Sequence, residues 1–482
     1  MKRLLMITIT LAGAVTLLAG EFKAGFARTD ITPPLGVFMP GYYISRRATE
    51  VLDPLQINMV AFSDGKTTAL IAQYDTEALS DAVADRMRDA ITKATGVPRD
   101  AIMLHASHTH DGGFLVAKHI NGGDLRMEEP DRVYVDMAVT RSADAAVEAI
   151  RDLKPAKLST QSTVARRISF GRRWKMRDGS VKTNPGTNNP DAMEPADTAD
   201  ETVQVLRIDR EGGKSICMIN FQTHPDVVGG TTLTADWPGL TRGVFEAATF
   251  GETLCIVING TQGDVNHCNV KPRPGELNGL KRDFDAVDRG YDHAKHMANV
   301  LASAALSVWM KCVPLETGDV RTGVADVAVP AHKALDTDKK NLAWANHVWS
   351  LHEAGKDAEI SKELGVYEMQ LTTELARAGR IRRMAEHPGV HHLPLIAIAI
   401  GKSVAFGGFP GEPFNDIGVQ VRKASPFKLT ILSCLTNGSR GYFPFSKAFK
   451  EDGYEAATSP FGPTVADDLI KGQGELLQRL CK

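Results

Sequence analysis

The chain is poor in cysteine and aromatic residues and has no excess of charge of either sign. Its six cysteines, at positions 217, 255, 268, 312, 434 and 481, lack the close spacing of a zinc ribbon, which argues against a cysteine-ligated metal site. Three of them, Cys217, Cys255 and Cys434, lie in apolar segments where a buried free thiol is expected. The 56 Lys and Arg against 58 Asp and Glu leave a net charge of −2. We therefore expect no nucleic acid as a partner.

Long apolar runs are absent beyond the N-terminus. Met1-Lys2-Arg3 is followed by uncharged, mostly apolar residues up to Gly20, the pattern of a secretory signal peptide. This run is at the short end for a helix that spans about 30 Å of hydrocarbon, which favours cleavage over anchoring. We expect residues 1–20 to be removed and residues 21–482 to be secreted or periplasmic, with no stable membrane span.

Apolar segments of strand length alternate with helical patterns. A strand over 67–74, helical spacing over 81–94 closed by Gly96 and Pro98, and an apolar strand from Ala101 form a βαβ pattern. Further strands are predicted at 22–30, 215–221, 253–258, 395–408 and 429–435, and helices at 134–153 and 467–480. The sequence contains no internal repeat, so we expect a single α/β domain over 21–482.

Two segments differ in composition from their surroundings. Residues 178–200 are rich in Asn, Pro, Gly, Thr and Asp, which predicts a long loop. Residues 336–386 are rich in helix-forming residues, broken near Gly355 and Gly365, which predicts a helical insertion of two or three helices.

Four loops that carry catalytic residue types each follow an apolar, strand-like segment. They are SHTHDGG at 107–113, THP at 223–225, NGTQGDVNH at 259–267 and GGFPGEPF at 407–414. Functional loops collect where the strands of an α/β sheet end, so these polar residues can converge. Because neutral His is the commonest metal ligand in proteins, the first hypothesis is a hydrolytic metal centre.

Each loop also has an explanation without chemistry. His108 and His110 would be solvated histidines of a polar turn, and His224 a half-buried histidine before a proline. Glu412 would cap the helix predicted to begin near residue 415, and Tyr442 would pack in the core. The metal hypothesis is distinguished from these alternatives by its requirement that the side chains meet at one point.

The ordered set of loops resembles that of the neutral and alkaline, non-lysosomal ceramidases, zinc amidohydrolases that cleave the amide bond of N-acyl sphingosines. The resemblance begins at GFARTDIT, residues 25–32, which is similar to the opening strand of that family, and extends to the tyrosine loop NGSRGYFP, residues 437–444. It implies a mixed-sheet α/β catalytic domain, Zn²⁺ as the cofactor, and ceramide or a ceramide-like N-acyl amide as the substrate.

The resemblance also implies a role for individual residues in metal binding. His108, His224, Glu412 and Tyr442 correspond to the zinc ligands of the family, with Tyr454 as a weaker rival to Tyr442. Two imidazoles and one carboxylate leave a coordination position for water, whose pKa falls to about 7 on catalytic zinc.

The resemblance implies two further catalytic residues in addition to Tyr442. His110 would face the substrate carbonyl or the water and protonate the leaving amine. Arg172 corresponds to the arginine that binds at the site, and the adjacent Arg173 is its rival.

Three departures from the family bear on the substrate. Asn266 stands where the family usually has Ser after the Gly-Asp-Val segment, which favours metal-activated water over a serine nucleophile, and Asp111 stands where Ser is more common. The sequence ends 40 residues after Tyr442, so we expect the C-terminal immunoglobulin-like domain of fuller members to be missing. Amide hydrolysis is therefore better supported than ceramide as substrate.

Two other functions stay open on the sequence. One is a zinc-dependent esterase or lactonase that acts on a substrate other than a sphingolipid. The other is a non-catalytic exported protein that binds metal or carbohydrate, since a fold does not fix a function.

Overall fold

The computed structural model describes residues 21–43, 46–115, 128–274, 276, 290–332, 339–367, 369–386 and 389–482. The predicted signal peptide, residues 1–20, lies outside the described residues, so its cleavage and the export of the chain stay predictions. None of the helices in these ranges combines the length and hydropathy needed to cross a bilayer.

A mixed sheet of nine strands forms the centre of the described chain. In spatial order it comprises β16 (Thr253–Asn259), β14 (Ser215–Phe221), β13 (Thr202–Arg210), β8 (Lys154–Val164), β1 (Lys23–Asp30), β5 (Gln56–Ser63), β6 (Thr68–Tyr74) and β7 (Ile102–Ala106), with β18 (Val313–Leu315) paired to β8. The β14–β16 and β6–β7 pairs are parallel, and the other pairs are antiparallel. The predicted α/β class with a mixed sheet is confirmed.

A second sheet of four strands lies at the C-terminal side of the sequence. Its order is β19 (Val320–Pro330), β20 (Val390–Ile400), β21 (Val404–Gly408) and β23 (Leu429–Ser433), with β21 and β23 parallel. The predicted strand at 395–408 is two strands, because Gly401 turns the chain with a φ of 53°.

Smaller strand pairs hold the loops that follow the main strands. They are β2 (Phe38–Met39) with β3 (Arg46–Arg47), β4 (Glu50–Val51) with β15 (Thr232–Leu233), β9 (Phe170–Gly171) with β17 (Val265–Asn266), and β22 (Glu412–Pro413) with β24 (Tyr442–Phe443). A small sheet is formed by β10 (Arg173–Met176), β11 (Val181–Thr183) and β12 (Ala192–Pro195). The long loop predicted at 178–200 is interrupted by the short strands β11 and β12, because backbone pairing to β10 requires no large apolar side chains, and the rest of the segment is irregular as predicted.

The helices pack around these sheets. They are α1 (Asp81–Thr95), α2 (Glu129–Arg151), α3 (Asp236–Ala248), α4 (Tyr291–Trp309), α5 (Lys339–Glu353), α6 (Asp357–Leu364), α7 (Met369–Glu386), α8 (Asn415–Ala424), α9 (Ser446–Glu451), α10 (Tyr454–Thr458) and α11 (Val465–Cys481). The helix α1 begins where the Ser80 side chain accepts from the N–H of Val83 and ends at Gly96, whose φ is 77°. With β6 and β7 it forms the predicted βαβ unit.

Three helices, α5, α6 and α7, occur in the segment predicted as a helical insertion, and they share a small apolar core of their own that includes Trp349 and Ile381. Residues 336–338 and 368 of that segment lie outside the described residues. The division of the chain into one domain with an insertion stays a prediction.

The two strands at the ends of the large-sheet order, β7 and β16, are joined through the buried ring of His105. Its Nδ1 lies 2.7 Å from the carbonyl oxygen of Cys434, and its Nε2 lies 3.0 Å from the N–H of Asn259. Burial lowers the pKa of His105 to about 4, so the ring is neutral, with one donor and one acceptor nitrogen. The carboxyl ends of β7, β16 and β23 are thereby held side by side.

Gly25 on β1 is the point of closest approach to α2 and provides a test of the packing. A Cβ at this position would lie 2.0 Å from the carbonyl oxygen of Ala149, so Gly25→Ala should lower the free energy of unfolding by about 1–3 kcal/mol or more. Gly243→Ala, on the exposed face of α3 with open space around it, should instead raise that free energy by up to about 1 kcal/mol. Urea unfolding of both variants measures the difference, and equal stabilities would contradict the described contact of β1 with α2.

Candidate functional site

Five of the predicted site residues meet in one buried cluster. Glu412 Oε2 lies 3.2 Å from His108 Nε2 and 3.1 Å from His224 Nε2. Tyr442 Oη lies 3.3 Å from His224 Nε2, and His110 Nε2 lies 3.3 Å from His108 Nε2. All five side chains are buried. The interpretation of these residues as separate turn and core residues is therefore wrong.

Backbone carbonyl groups orient two of the imidazoles. His108 Nδ1 lies 2.9 Å from the oxygen of Glu77, and His224 Nδ1 lies 2.9 Å and 3.0 Å from those of Gln262 and Val265. Because a carbonyl only accepts, each Nδ1 carries the proton, and each Nε2 can direct its lone pair into the cluster. His108 has a φ of 76°, a left-handed conformation that is uncommon for a residue other than glycine and is found preferentially at functional sites.

Glu412 and Tyr442 reach the cluster through a short parallel strand pair. They are register partners in β22 and β24, and the N–H of Glu412 donates to the oxygen of Gly441 at 2.9 Å. Glu412 does not cap α8, because the Oδ1 of Asp264 accepts the N–H of Asn415 there. The capping role proposed for Glu412 is therefore filled by another carboxylate.

The charges of the cluster depend on one another. Burial alone would raise the pKa of Glu412, but His108 and His224 beside it hold that pKa well below its usual range. Burial and the neighbouring Arg172 lower the pKa of His224 to about 4. Burial opposes protonation of His108 too, yet Glu412 outweighs it and raises the pKa of His108 to about 9. A metal cation bound here would therefore displace a proton from the His108–Glu412 pair.

His110 differs from the other two histidines in how it is held. Among the described residues, its Nδ1 has no hydrogen-bond partner, and the Oδ1 of Asp226 lies 3.9 Å away. Burial lowers the pKa of His110 well below its usual range, so the ring is neutral and can accept a proton. Gly41 approaches so closely that a Cβ there would lie 2.6 Å from this Nδ1.

Two sets of three ligands are available in this geometry. The ligand nitrogens of His108, His110 and His224 lie within 4.8 Å of one another. We favour Glu412 over His110 as the third ligand because its Oε2 contacts both other ligand atoms and its negative charge balances that of a cation. Among the described residues, no backbone group accepts from His110 Nδ1 as the carbonyls do from the other two imidazoles.

Of the two adjacent arginines, Arg172 lies in the site. Its Nη1 is 3.2 Å from His224 Nε2, while its Nε donates to Glu455 and its Nη2 to the oxygen of Gly263, at 2.6 Å and 2.8 Å. Arg173 instead donates to Asp197 and Glu451, at 2.7 Å and 2.8 Å. Both guanidinium groups flank the Glu455 carboxylate, since Arg173 Nε lies 3.7 Å from its Oε2, but the contact with a histidine of the cluster is made by Arg172.

A cavity of about 70 Å³ opens onto the cluster. Its walls include the aromatic residues Tyr42, Tyr43, Phe114, Tyr442 and Tyr454. Tyr454 thus forms a wall of the cavity, whereas Tyr442 contacts a histidine of the cluster.

Glu77 also lines this cavity and was not among the predicted residues. Its Oε2 is buried without a hydrogen-bond partner among the described residues, and burial raises its pKa to about 7. The sequence feature that could have identified Glu77 is its position shortly after the strand β6, since the four predicted loops also follow strands.

Asn266 stands at the position where the resemblance expects Ser, and both polar atoms of its side chain form hydrogen bonds within the protein. Its Oδ1 accepts from the N–H of Cys268 at 3.0 Å, and its Nδ2 donates to the Oδ1 of Asn184 at 3.2 Å. It is buried and does not line the cavity. This position therefore supplies no nucleophile.

The ligand assignment predicts which histidine is needed for metal. Purified protein loaded with Zn²⁺ should hold one ion per chain, and His224→Ala should lose most of it because one of three close ligand atoms is removed. His392→Ala is the matched control, since His392 is exposed and pairs with Asp326 away from the site. Metal analysis after gel filtration measures both, and full occupancy of the His224→Ala variant would refute the assignment.

No family model matches the sequence, and no curated protein matches it. Solved structures do match the fold. The neutral ceramidase from Pseudomonas aeruginosa matches with a TM-score of 0.70 over 96% of this chain and 74% of its own, at 16% identity. A ceramidase complexed with C2 matches with a TM-score of 0.67 over 95% of this chain and 75% of its own, also at 16% identity. The resemblance predicted from the loops is confirmed at the level of the fold.

Proposed function

We propose that this protein, which has the fold of the neutral ceramidases, is a metal-dependent hydrolase that cleaves the amide bond of an N-acyl substrate. The observation that carries the proposal is the convergence of His108, His224 and Glu412 beside a cavity walled by tyrosines. The names of the structural neighbours make ceramide the first amide to test. Export of the chain remains part of the proposal on the N-terminal pattern alone.

The donor atoms lie close enough together to bind one divalent ion. Ligands at about 2.0–2.1 Å from zinc in a tetrahedron lie about 3.3 Å from one another. The Nε2 atoms of His108 and His224 lie 3.2 Å and 3.1 Å from Glu412 Oε2, and Tyr442 Oη lies 3.3 Å from His224 Nε2. We assign His108, His224 and Glu412 as the three ligands of Zn²⁺, which leaves a coordination position for water, and Tyr442 as the residue whose hydroxyl reaches the ion beside them. When bound, the ion would lower the pKa of a water to about 7 and polarise a carbonyl group.

His110 is the residue that moves the proton in this mechanism. Its ring is neutral, lies next to the ligand His108, and faces a cavity in which the substrate carbonyl would sit. It accepts a proton from the attacking water and donates it to the amide nitrogen, because an amine leaves only when it is protonated. Tight packing against Gly41 limits the positions that the ring can take.

Arg172 and Tyr442 stabilise the charge that develops on the carbonyl oxygen. Arg172 Nη1 and Tyr442 Oη lie 3.2 Å and 3.3 Å from His224 Nε2, so the two donors lie beside the same atom. The Arg172 guanidinium is fixed by Glu455 and the oxygen of Gly263, so it needs no rearrangement during the reaction. A well-placed donor of this kind lowers a barrier by about 3–4 kcal/mol.

The assignment of His110 predicts that its loss harms amides more than esters. His110→Ala should keep its bound metal but lose about 10²–10⁴-fold in kcat for an N-acyl amide. An aryl ester should lose less, because a phenolate leaves without protonation. Steady-state kinetics on both substrates test this, with His392→Ala as the control that should match the wild type. Intact amide cleavage by His110→Ala would contradict the role given to this residue.

A panel of substrates distinguishes the proposed activity from the alternatives. The zinc-loaded protein should cleave at least one of ceramide, an N-acyl amino sugar and a small N-acetyl amide, and chelation of the metal should abolish this turnover. Cleavage of aryl esters or lactones alone would indicate the esterase or lactonase. Bound metal without turnover of any member of the panel would indicate a binding protein.

A further inference from the structure

The cavity of about 70 Å³ that opens onto the histidine cluster is called the metal-site cavity. A second cavity lies next to it, and the two share the lining residue Tyr454. The second cavity has a volume of about 560 Å³ and lies between the β10–β11 hairpin, the helix α7 and the start of α10. The metal-site cavity, at about 70 Å³, is far below the 300–1,000 Å³ that is typical of ligand sites. A substrate larger than the scissile amide therefore needs space beyond the metal-site cavity.

Tyr454 is the wall that the two cavities share. It lines both of them, and its ring centroid lies 5.7 Å from that of Tyr442. The Arg172 guanidinium carbon lies 5.3 Å from the Tyr442 ring and 5.9 Å from the Tyr454 ring. A substrate with its carbonyl at the metal cluster would therefore have to extend past the Tyr454 side chain to reach the second cavity.

Polar and charged residues outnumber apolar residues in the wall of the second cavity, which also includes Val181, Val366 and Met369. The polar and charged residues include Ser180, Thr183, Asn184, Gln370, Thr373 and Glu374. An alkyl chain placed here would cover these groups without forming hydrogen bonds, which is unfavourable. The chemistry of the lining suits a polar ligand.

Asn184 points more specifically to a hydrogen-bond acceptor on that ligand. The residue lines the cavity, is fully buried, and has no partner for its Nδ2 among the described residues. Its Oδ1 is used by Asn266, and its backbone N–H donates to the oxygen of Arg172 at 2.8 Å. A buried amide donor without a partner is costly unless a ligand satisfies it.

We propose that the cavity between the β10–β11 hairpin and α7 is a substrate subsite that binds a polar arm of the N-acyl amide, with a hydroxyl or carbonyl oxygen accepting from Asn184 Nδ2. This inference rests on the proposed amide hydrolysis and narrows its substrate class. The protein cleaves amides that carry a hydroxylated or amide-bearing arm in preference to amides with an alkyl arm of equal length.

The test uses two series of synthetic N-acyl amides. In one series the acyl arm, and in the other the amine arm, is either hydroxylated or a plain alkyl chain of the same length. A short N-acetyl amide that does not extend past Tyr454 is the reference. Asn184→Asp replaces the Nδ2 donor by an acceptor, keeps an oxygen for Asn266, and tolerates the φ of 46° at this position.

Asn184→Asp should raise KM about tenfold for the hydroxylated substrate of one series, with kcat for the N-acetyl amide unchanged, as expected for one lost buried hydrogen bond. The matched control is Asn188→Asp, since Asn188 is exposed, has a φ of 53° and does not line the cavity. Thr373→Trp, which fills the cavity from α7, should also reduce cleavage of the hydroxylated substrate and spare the N-acetyl amide.

The outcomes separate the subsite from the activity on which it rests. An effect confined to one series supports the subsite and identifies the arm that occupies it. If the wild type cleaves the alkyl substrates better, or both variants affect alkyl and hydroxylated substrates equally, the subsite is wrong although the hydrolase stands. If the wild type cleaves no amide at all, including the N-acetyl reference, the proposed function itself fails.

Discussion

The site depends on two hydrogen bonds through which the buried ring of His105 links strands that are remote in sequence. One neutral ring accepts from Asn259 at the end of β16 and donates to the carbonyl of Cys434 after β23, while its own backbone belongs to β7. The buried ring can satisfy both groups only in one tautomer. Because β7 and β16 lie at opposite ends of the strand order, this link connects the loops that follow the two outermost strands. The loops that bear His108 and His224 emerge beside it.

Backbone carbonyl groups also fix the orientation of two histidine rings in the site. Those of Glu77, Gln262 and Val265 hold the Nδ1 atoms of two histidines, so that the opposite nitrogens face Glu412. Carbonyl groups cannot change charge, and the orientation they impose is independent of pH. The carboxylate and the imidazoles, in contrast, stabilise each other's charges in a buried place where an unpaired charge is costly. A divalent cation bound here would replace the proton of the His108–Glu412 pair as the positive charge beside the carboxylate.

The size and lining of the cavities around the cluster bear on which substrate the protein can bind. The metal-site cavity is small and walled by tyrosines, and the larger neighbouring cavity presents hydrogen-bonding groups from β11 and α7. The helix α7 contacts α10, which bears Tyr454, the residue that lines both cavities. Because these residues lie outside the cluster, a shared fold at 16% identity is a poor guide to substrate.

Local patterns were enough to predict much of the molecule from the order of its residues. Apolar runs identified the strands β6, β14 and β16, helical spacing with Gly96 identified α1, and the loops after these strands contained His108, His110, His224 and Glu412. Such features depend on neighbours in sequence. The tertiary structure was needed to show that Arg172 rather than Arg173 lies in the site and that Asp264 rather than Glu412 accepts at the start of α8. It was also needed to show that Glu77 and Asn184 line the cavities. These outcomes depend on pairings such as that of β22 with β24 and on burial among segments far apart in sequence, which no local pattern encodes.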